Sequence, residues 1–278
     1  MTARQTTLSQ PIALRGKGVH SNEESAVICH PAEADTGFVF DLTASSGAVR
    51  HVPVSPESLR QSAFCTAIGS EEAEVRTVEH LLAGLLWMGV DNVRLRVEGP
   101  EIPIGDGSAL PIAEQIQKTG LAELDAERKT LAIKEPVCVG DGDSFVMAWP
   151  GPGLSVRCFI QFDHPSIGEQ LFHWVSDEKS FLDEIAPART FGFERDWDAL
   201  KARGLARGSS LENTVVLLED GTLANEPRFE TEFVRHKILD LLGDMAVLGC
   251  RLEARLFASR PSHRINGMFV REVYGRMG

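Results

Sequence analysis

The sequence predicts an α+β fold of two similar domains, each a mostly β layer packed on helices, with the active site between them. Three observations predict it. Strand-like runs with a period of two, such as Val93, Leu95 and Val97, alternate with segments whose apolar residues recur every three to four positions. Two of the helical segments, opening at Thr77 and at Phe233, are apolar around most of their circumference, the pattern of buried helices. The order helix, strand, loop, helix also occurs twice, with His80 nine residues before Gly89 and Asp240 nine before Gly249. Each copy therefore offers a polar side chain at the same helical level. The expected domains are residues 1–125 and 130–278, the second with an inserted β-hairpin.

The elements follow in order. Residues 6–42 are strand-like, with Ala26-Val27-Ile28-Cys29 and Phe38-Val39-Phe40 separated by Pro31 and Gly37. Gly16-Lys17-Gly18-Val19-His20-Ser21 lies in a loop whose glycines permit close approach of the backbone to a ligand. Residues 50–75 are mixed, and Cys65 reads as a packing residue. After the helix from Thr77 come a turn at Gly89, the strand through Val97, a loop over residues 98–108 and a helix over 110–119. Ser108 is the expected N-cap and Pro111 is tolerated in the first turn. The polar stretch 123–129 reads as a linker. Hairpins then span 135–149 and 154–175, helices 177–185 and 197–203, and a strand 214–218. The last unit is a helix ending at Gly249, a strand over 251–258, the loop Ser259-Arg260-Pro261-Ser262-His263 and a helix over 265–273. His30, His51, His164 and His173 have no ligand-like neighbours and read as structural.

With 278 residues, 43% hydrophobic and 24% charged, the chain can bury one large core or two smaller ones. A net charge of −12 argues against nucleic acid or a membrane surface as partner, since both are bound by basic faces. An anionic substrate then requires local cations. The five cysteines form no CxxC and leave one over in any pairing, which fits a reducing cytoplasm. The start lacks the apolar core of a signal peptide, and no apolar run reaches spanning length. A cytoplasmic monomer acting on a small molecule is the expectation.

The chemistry sits on the helix containing Phe233-Val234-Arg235-His236-Lys237-Ile238-Leu239-Asp240-Leu241-Leu242-Gly243-Asp244. With His236 at zero on a helical wheel, Asp240 falls at about 40° and Asp244 at about 80°, while Ile238, Leu241, Leu242 and Met245 cover the other side. Taken alone, His236 and Asp240 form an ordinary i,i+4 pair. In Thr77-Val78-Glu79-His80-Leu81, however, a second buried helix opens with an adjacent acid and histidine. His80, His236 and Asp240 make an N,N,O set that leaves one tetrahedral position open, the pattern of catalytic zinc. Glu79, beside a ligand but pointing elsewhere, is placed to take a proton from water.

Several stretches together resemble the zinc-dependent UDP-3-O-acyl-N-acetylglucosamine deacetylases of lipid A biosynthesis in Gram-negative bacteria. They are Gly18-Val19-His20-Ser21, Thr77-Val78-Glu79-His80-Leu81, Asp106-Gly107-Ser108-Ala109, Ala188-Arg189-Thr190-Phe191-Gly192-Phe193 and the run from Phe233 to Asp240, in the family's order over nearly the whole chain. The resemblance implies Zn2+ on His80, His236 and Asp240, with Glu79 as general base. It further implies Thr190, Lys237, Asp244 and His263 around the reacting amide, His20 and Arg260 near the diphosphate, Phe162 against the uracil, and Phe191 among the substrate contacts. Lys237 and Arg260 would supply the local cations. Departures from the family's usual residues are Ser209 and Ser262 in place of glycines, Asn22 after Ser21, and Gln161 beside Phe162. Two other readings are a zinc hydrolase of another N-acylated sugar and a non-catalytic binding protein that retains the metal; an intact Glu79 argues against the second.

Overall fold

A computed structural model describes residues 3–60 and 64–276. The first half contains strands β1 (Arg4–Leu8), β2 (Ile12–Lys17), β3 (Glu24–Pro31), β4 (Phe38–Thr43), β5 (Val49–Pro53), β6 (Leu59–Arg60), β7 (Ala67–Gly69) and β8 (Glu74–Arg76). Helix α1 (Glu79–Trp87), strand β9 (Val93–Glu98) and helix α2 (Leu110–Thr119) follow. Five of these strands form a sheet in the order β2-β3-β9-β4-β5. Its central strand shows how the sequence is read: Val93, Leu95 and Val97 point into the core, while Arg94, Arg96 and Glu98 face outward.

The remainder contains β10 (Leu121–Glu127), β11 (Thr130–Ala132), β12 (Val137–Asp141), β13 (Ser144–Trp149), β14 (Leu154–Gln161), β15 (Glu169–Val175), the short α3 (Glu178–Ser180), β16 (Phe191–Phe193), α4 (Trp197–Ala202) and β17 (Val215–Leu217). The chain ends with α5 (Glu232–Met245), β18 (Arg251–Ser259) and α6 (His263–Gly275). A six-stranded sheet has the order β12-β13-β18-β14-β15, with β11 also paired to β18. The centres of the two sheets are built alike. β9 follows α1 and lies antiparallel to β3 and parallel to β4; β18 follows α5 and lies antiparallel to β13 and parallel to β14.

Every residue of α1 is buried, as are most of α5. The two helices meet closely because Gly243 has no side chain: a Cβ there would run into the main-chain carbonyl of Glu79. This contact brings the polar stripe of α5 against the start of α1.

Four expectations need correction. The stretch expected as a linker is mostly strand β10, paired antiparallel with β1; an exposed ribbon shows its charged side chains to water while its backbone pairs, so polar composition does not exclude a strand. The helix expected from residue 177 is one α-helical turn followed by a π-helical segment, Phe181–Ile185. Ser108 is not the N-cap of α2; Ala109 holds that position, and the Ser108 hydroxyl accepts from Leu110 N–H at 3.1 Å. Helix α1 begins at Glu79 because Thr77 is left-handed, with φ 57°.

Candidate metal centre and active site

His80 is the second residue of α1, and His236 and Asp240 lie one turn apart on α5. Their ligating atoms all fall within 4.8 Å of one another. Asp240 Oδ1 is 3.5 Å from His80 Nε2 and 3.3 Å from His236 Nε2. Tetrahedral ligation with bonds of about 2.0–2.1 Å separates donor atoms by about 3.3 Å, so this set fits a zinc-sized ion. Outer contacts orient the ligands: His236 Nδ1–H donates to the Ala188 carbonyl at 3.1 Å, and Asp240 Oδ2 accepts from Lys237 Nζ at 2.6 Å.

The site also sets the protonation states that ligation needs. Burial pushes His236 down to about 4, against the opposing pull of Asp240, so the imidazole is neutral. Burial would raise the Asp240 pKa, but His236 and Lys237 override it and hold the carboxyl well below the usual range. A neutral imidazole and a carboxylate are the binding forms.

Glu79 is not part of the ligand set. Its Oε2 accepts from Thr66 N–H at 2.9 Å, and its Oε1 lies 3.8 Å from His263 Nε2. Burial raises its pKa. His263, the first residue of α6, donates Nδ1–H to Asp244 Oδ2 at 2.9 Å. Burial alone would lower the pKa of that imidazole, but the Asp244 carboxylate overrides the effect and raises it to about 9. Asp244 also accepts from the Thr66 hydroxyl and from Asn266 Nδ2, the latter at 2.8 Å. A buried carboxylate near a raised-pKa histidine is an acid–base arrangement.

Every sequence-predicted site residue except Asp244 lines one cavity of about 650 Å³; Asp244 stands behind His263. Phe162 and Phe191 meet edge to face at 5.6 Å, and Phe191 packs in turn on Phe233. Thr190 is held by main-chain bonds, its N–H to Gly107 and its carbonyl to Val215 N–H. The two expected cations are already engaged. Lys237 is on Asp240, and the guanidinium of Arg260 is 3.3 Å from the exposed carboxylate of Asp143. His20 Nδ1 accepts from Ala206 N–H at 3.3 Å, and burial lowers its pKa despite Glu101 nearby.

Glu101 is a residue that sequence reasoning missed. Its buried carboxylate accepts from the amides of His20 and Ser21 and from the Thr77 hydroxyl, tying the His20 loop to the start of α1. A Cβ at Gly18 would collide with this carboxylate, so that glycine serves the loop's own packing. The buried pair Arg189–Glu232 was missed too; it anchors the segment that presents Ala188 and Thr190 to the start of α5. Thr66 and Asn266 complete the omissions. Ser262 caps α6 by accepting from Ile265 N–H, and Asn22 occupies the left-handed region at φ 59°.

Fold and site define an α+β protein whose cavity holds an N,N,O set able to take a metal beside a buried carboxylate and a histidine. The chain belongs to the family described as LpxC, UDP-3-O-acyl N-acetylglycosamine deacetylase, whose model matches residues 5–275. It is 40% identical to the UDP-3-O-acyl-N-acetylglucosamine deacetylase of Syntrophotalea carbinolica over 97% of this chain and 87% of that protein. The protein of that name from Phenylobacterium zucineum is 41% identical over 98% of this chain and 94% of its own length. For the one from Helicobacter pylori the values are 38%, 97% and 91%. The chain is thus a deacetylase. Among the described residues no helix is long and apolar enough to cross a membrane.

Proposed function

We propose that the protein hydrolyses the N-acetyl group of UDP-3-O-acyl-N-acetylglucosamine, giving the free amine and acetate, as a zinc-dependent step of lipid A biosynthesis in the cytoplasm. One observation carries the reading: His80, His236 and Asp240 converge in the same cavity as the buried Glu79 carboxylate and the Asp244-paired His263. The names of the relatives support the substrate. On this reading residues 1–125 and 130–278 act as two domains that meet at the site, and the chain works as a monomer.

Zinc on His80, His236 and Asp240 would supply Lewis acidity, acidifying water and polarising the amide carbonyl. Glu79 takes one proton from the attacking water as its oxygen bonds to the acetyl carbon. The Thr190 hydroxyl, at the cavity wall, donates to the developing oxyanion. His263, charged through Asp244, gives its Nε2 proton to the nitrogen as the C–N bond breaks, so the sugar leaves as a neutral amine. Lys237 holds Asp240 and adds positive charge beside the reacting amide. His20 and Arg260 contact the diphosphate, Arg260 exchanging Asp143 for phosphate. Phe162 and Phe191 offer an aromatic corner to the uracil.

Purified protein should release acetate from the UDP-linked acyl sugar and not from free N-acetylglucosamine. Equal turnover of both would support the broader hydrolase of N-acylated sugars, and release from neither by metal-loaded protein would remove the proposal.

A further inference from the structure

Thr66 lies outside the reaction cavity, 3% exposed, yet it touches both the base and the partner of the acid. Its N–H donates to Glu79 Oε2 at 2.9 Å, and its hydroxyl donates to Asp244 Oδ1 and lies 3.3 Å from His263 Nδ1. Its carbonyl accepts from Val78 N–H, so its main chain is clamped to the start of α1. The contacts close a ring. From Glu79 the path runs through Thr66 to Asp244, on to His263, and back across the 3.8 Å between His263 Nε2 and Glu79 Oε1.

We infer that Thr66 is a positioning residue that fixes the separation between the carboxylate of Glu79 and the imidazole of His263. The inference rests on the proposed roles of those two residues as base and acid. In that ring only the step from Glu79 to His263 lacks a hydrogen bond. At 3.8 Å the two groups are too far apart for a direct hydrogen bond, yet close enough to interact as charges and to serve one reacting centre. Holding that gap requires both sides to be immobile. One oxygen of Glu79 is fixed by the Thr66 amide. Asp244 is fixed at Oδ1 by the Thr66 hydroxyl and at Oδ2 by His263 and Asn266, so it cannot rotate without breaking charge-assisted hydrogen bonds. A β-branched side chain suits the task because its hydroxyl is restricted to few rotamers.

The test compares Thr66→Val, which keeps the shape and the amide but removes the hydroxyl, with Thr66→Ser, which keeps the hydroxyl. Both are loaded with zinc and assayed on the UDP-linked acyl sugar. Thr66→Val is expected to lower kcat by about 10- to 100-fold, the worth of a hydrogen bond to a charged group, with KM changed by less than about threefold. Thr66→Ser should recover kcat to within about threefold of wild type, the hydroxyl being retained. Should Thr66→Val fail to fold, Thr66→Ala against Thr66→Ser reads the same hydroxyl on a smaller side chain. Wild-type kcat without the hydroxyl, no recovery by serine, or a loss confined to KM each overturns the inference. An inactive wild-type enzyme would instead refute the proposed function, so the two failures are distinct.

Discussion

Lys237 Nζ lies 2.6 Å from Asp240 Oδ2, while Asp240 Oδ1 faces both histidines. On the proposed reading one carboxylate would serve two cations, Lys237, which the fold places on Oδ2, and a metal facing Oδ1. In metal-free protein, Lys237→Met leaves Asp240 buried without its lysine, which costs about 3–5 kcal/mol when one partner of a buried pair is removed. Bound zinc restores a cation, so the loss should shrink in the loaded protein. Denaturant titrations of both forms measure this; an equal loss with and without zinc would contradict the account.

The ligands and the base should separate cleanly. His80→Ala, His236→Ala and Asp240→Ala each remove one of three protein ligands and are expected to abolish stoichiometric zinc. Glu79→Ala should keep the metal and lose turnover by about 10²- to 10⁴-fold. Metal analysis beside the activity assay decides it. Zinc retained in a ligand variant, or near-normal activity in Glu79→Ala, would refute the corresponding role.

Activity should depend on pH in a bell shape. On the proposed roles Glu79 acts as a carboxylate, so activity should fall as pH drops through its pKa, which burial raises above the ordinary value. His263, as the proposed acid, would act as an imidazolium. Its form is present below its pKa and lost as pH rises through about 9, so the descending limb belongs to it. Burial opposes that charge and Asp244 sustains it, so Asp244→Asn should shift the limb to lower pH. A limb that stays in place in this variant, measured by kcat against pH, would assign it to another group.

Gly243→Ala tests the contact between α1 and α5. The added Cβ meets the Glu79 main-chain carbonyl, and overpacking of this kind costs about 1–3 kcal/mol. Because the displaced residue is Glu79, turnover should fall along with the melting temperature. A variant as stable and active as wild type would show that the helices have room to part.

The legible parts of the site were those with a periodic signature. His236, Asp240 and Asp244 stand out as polar positions on a helix otherwise apolar, and Glu79-His80 opens a second such helix. Thr66 was not legible, because half of its contribution is a main-chain N–H, which any residue but proline carries. Asn266 had a signal: it lies three residues after His263, among Ile265, Phe269 and Val270, a polar residue on a buried face. Glu101 sits in an aperiodic loop, where nothing in the pattern says that its carboxylate gathers two amides. β10 is not legible because strand pairing with β1 depends on backbone, and its alternating charges look like those of a solvated linker.

On the proposed function, zinc on His80, His236 and Asp240 and the cleavage of the acetamide belong to one site. Zinc content and acetate release from UDP-3-O-acyl-N-acetylglucosamine, measured on one preparation before chelation, after it and after zinc is returned, test this most directly. One zinc per chain, activity lost with the metal and recovered with it, is the predicted result. Acetate release that persists in folded protein stripped of metal would contradict it.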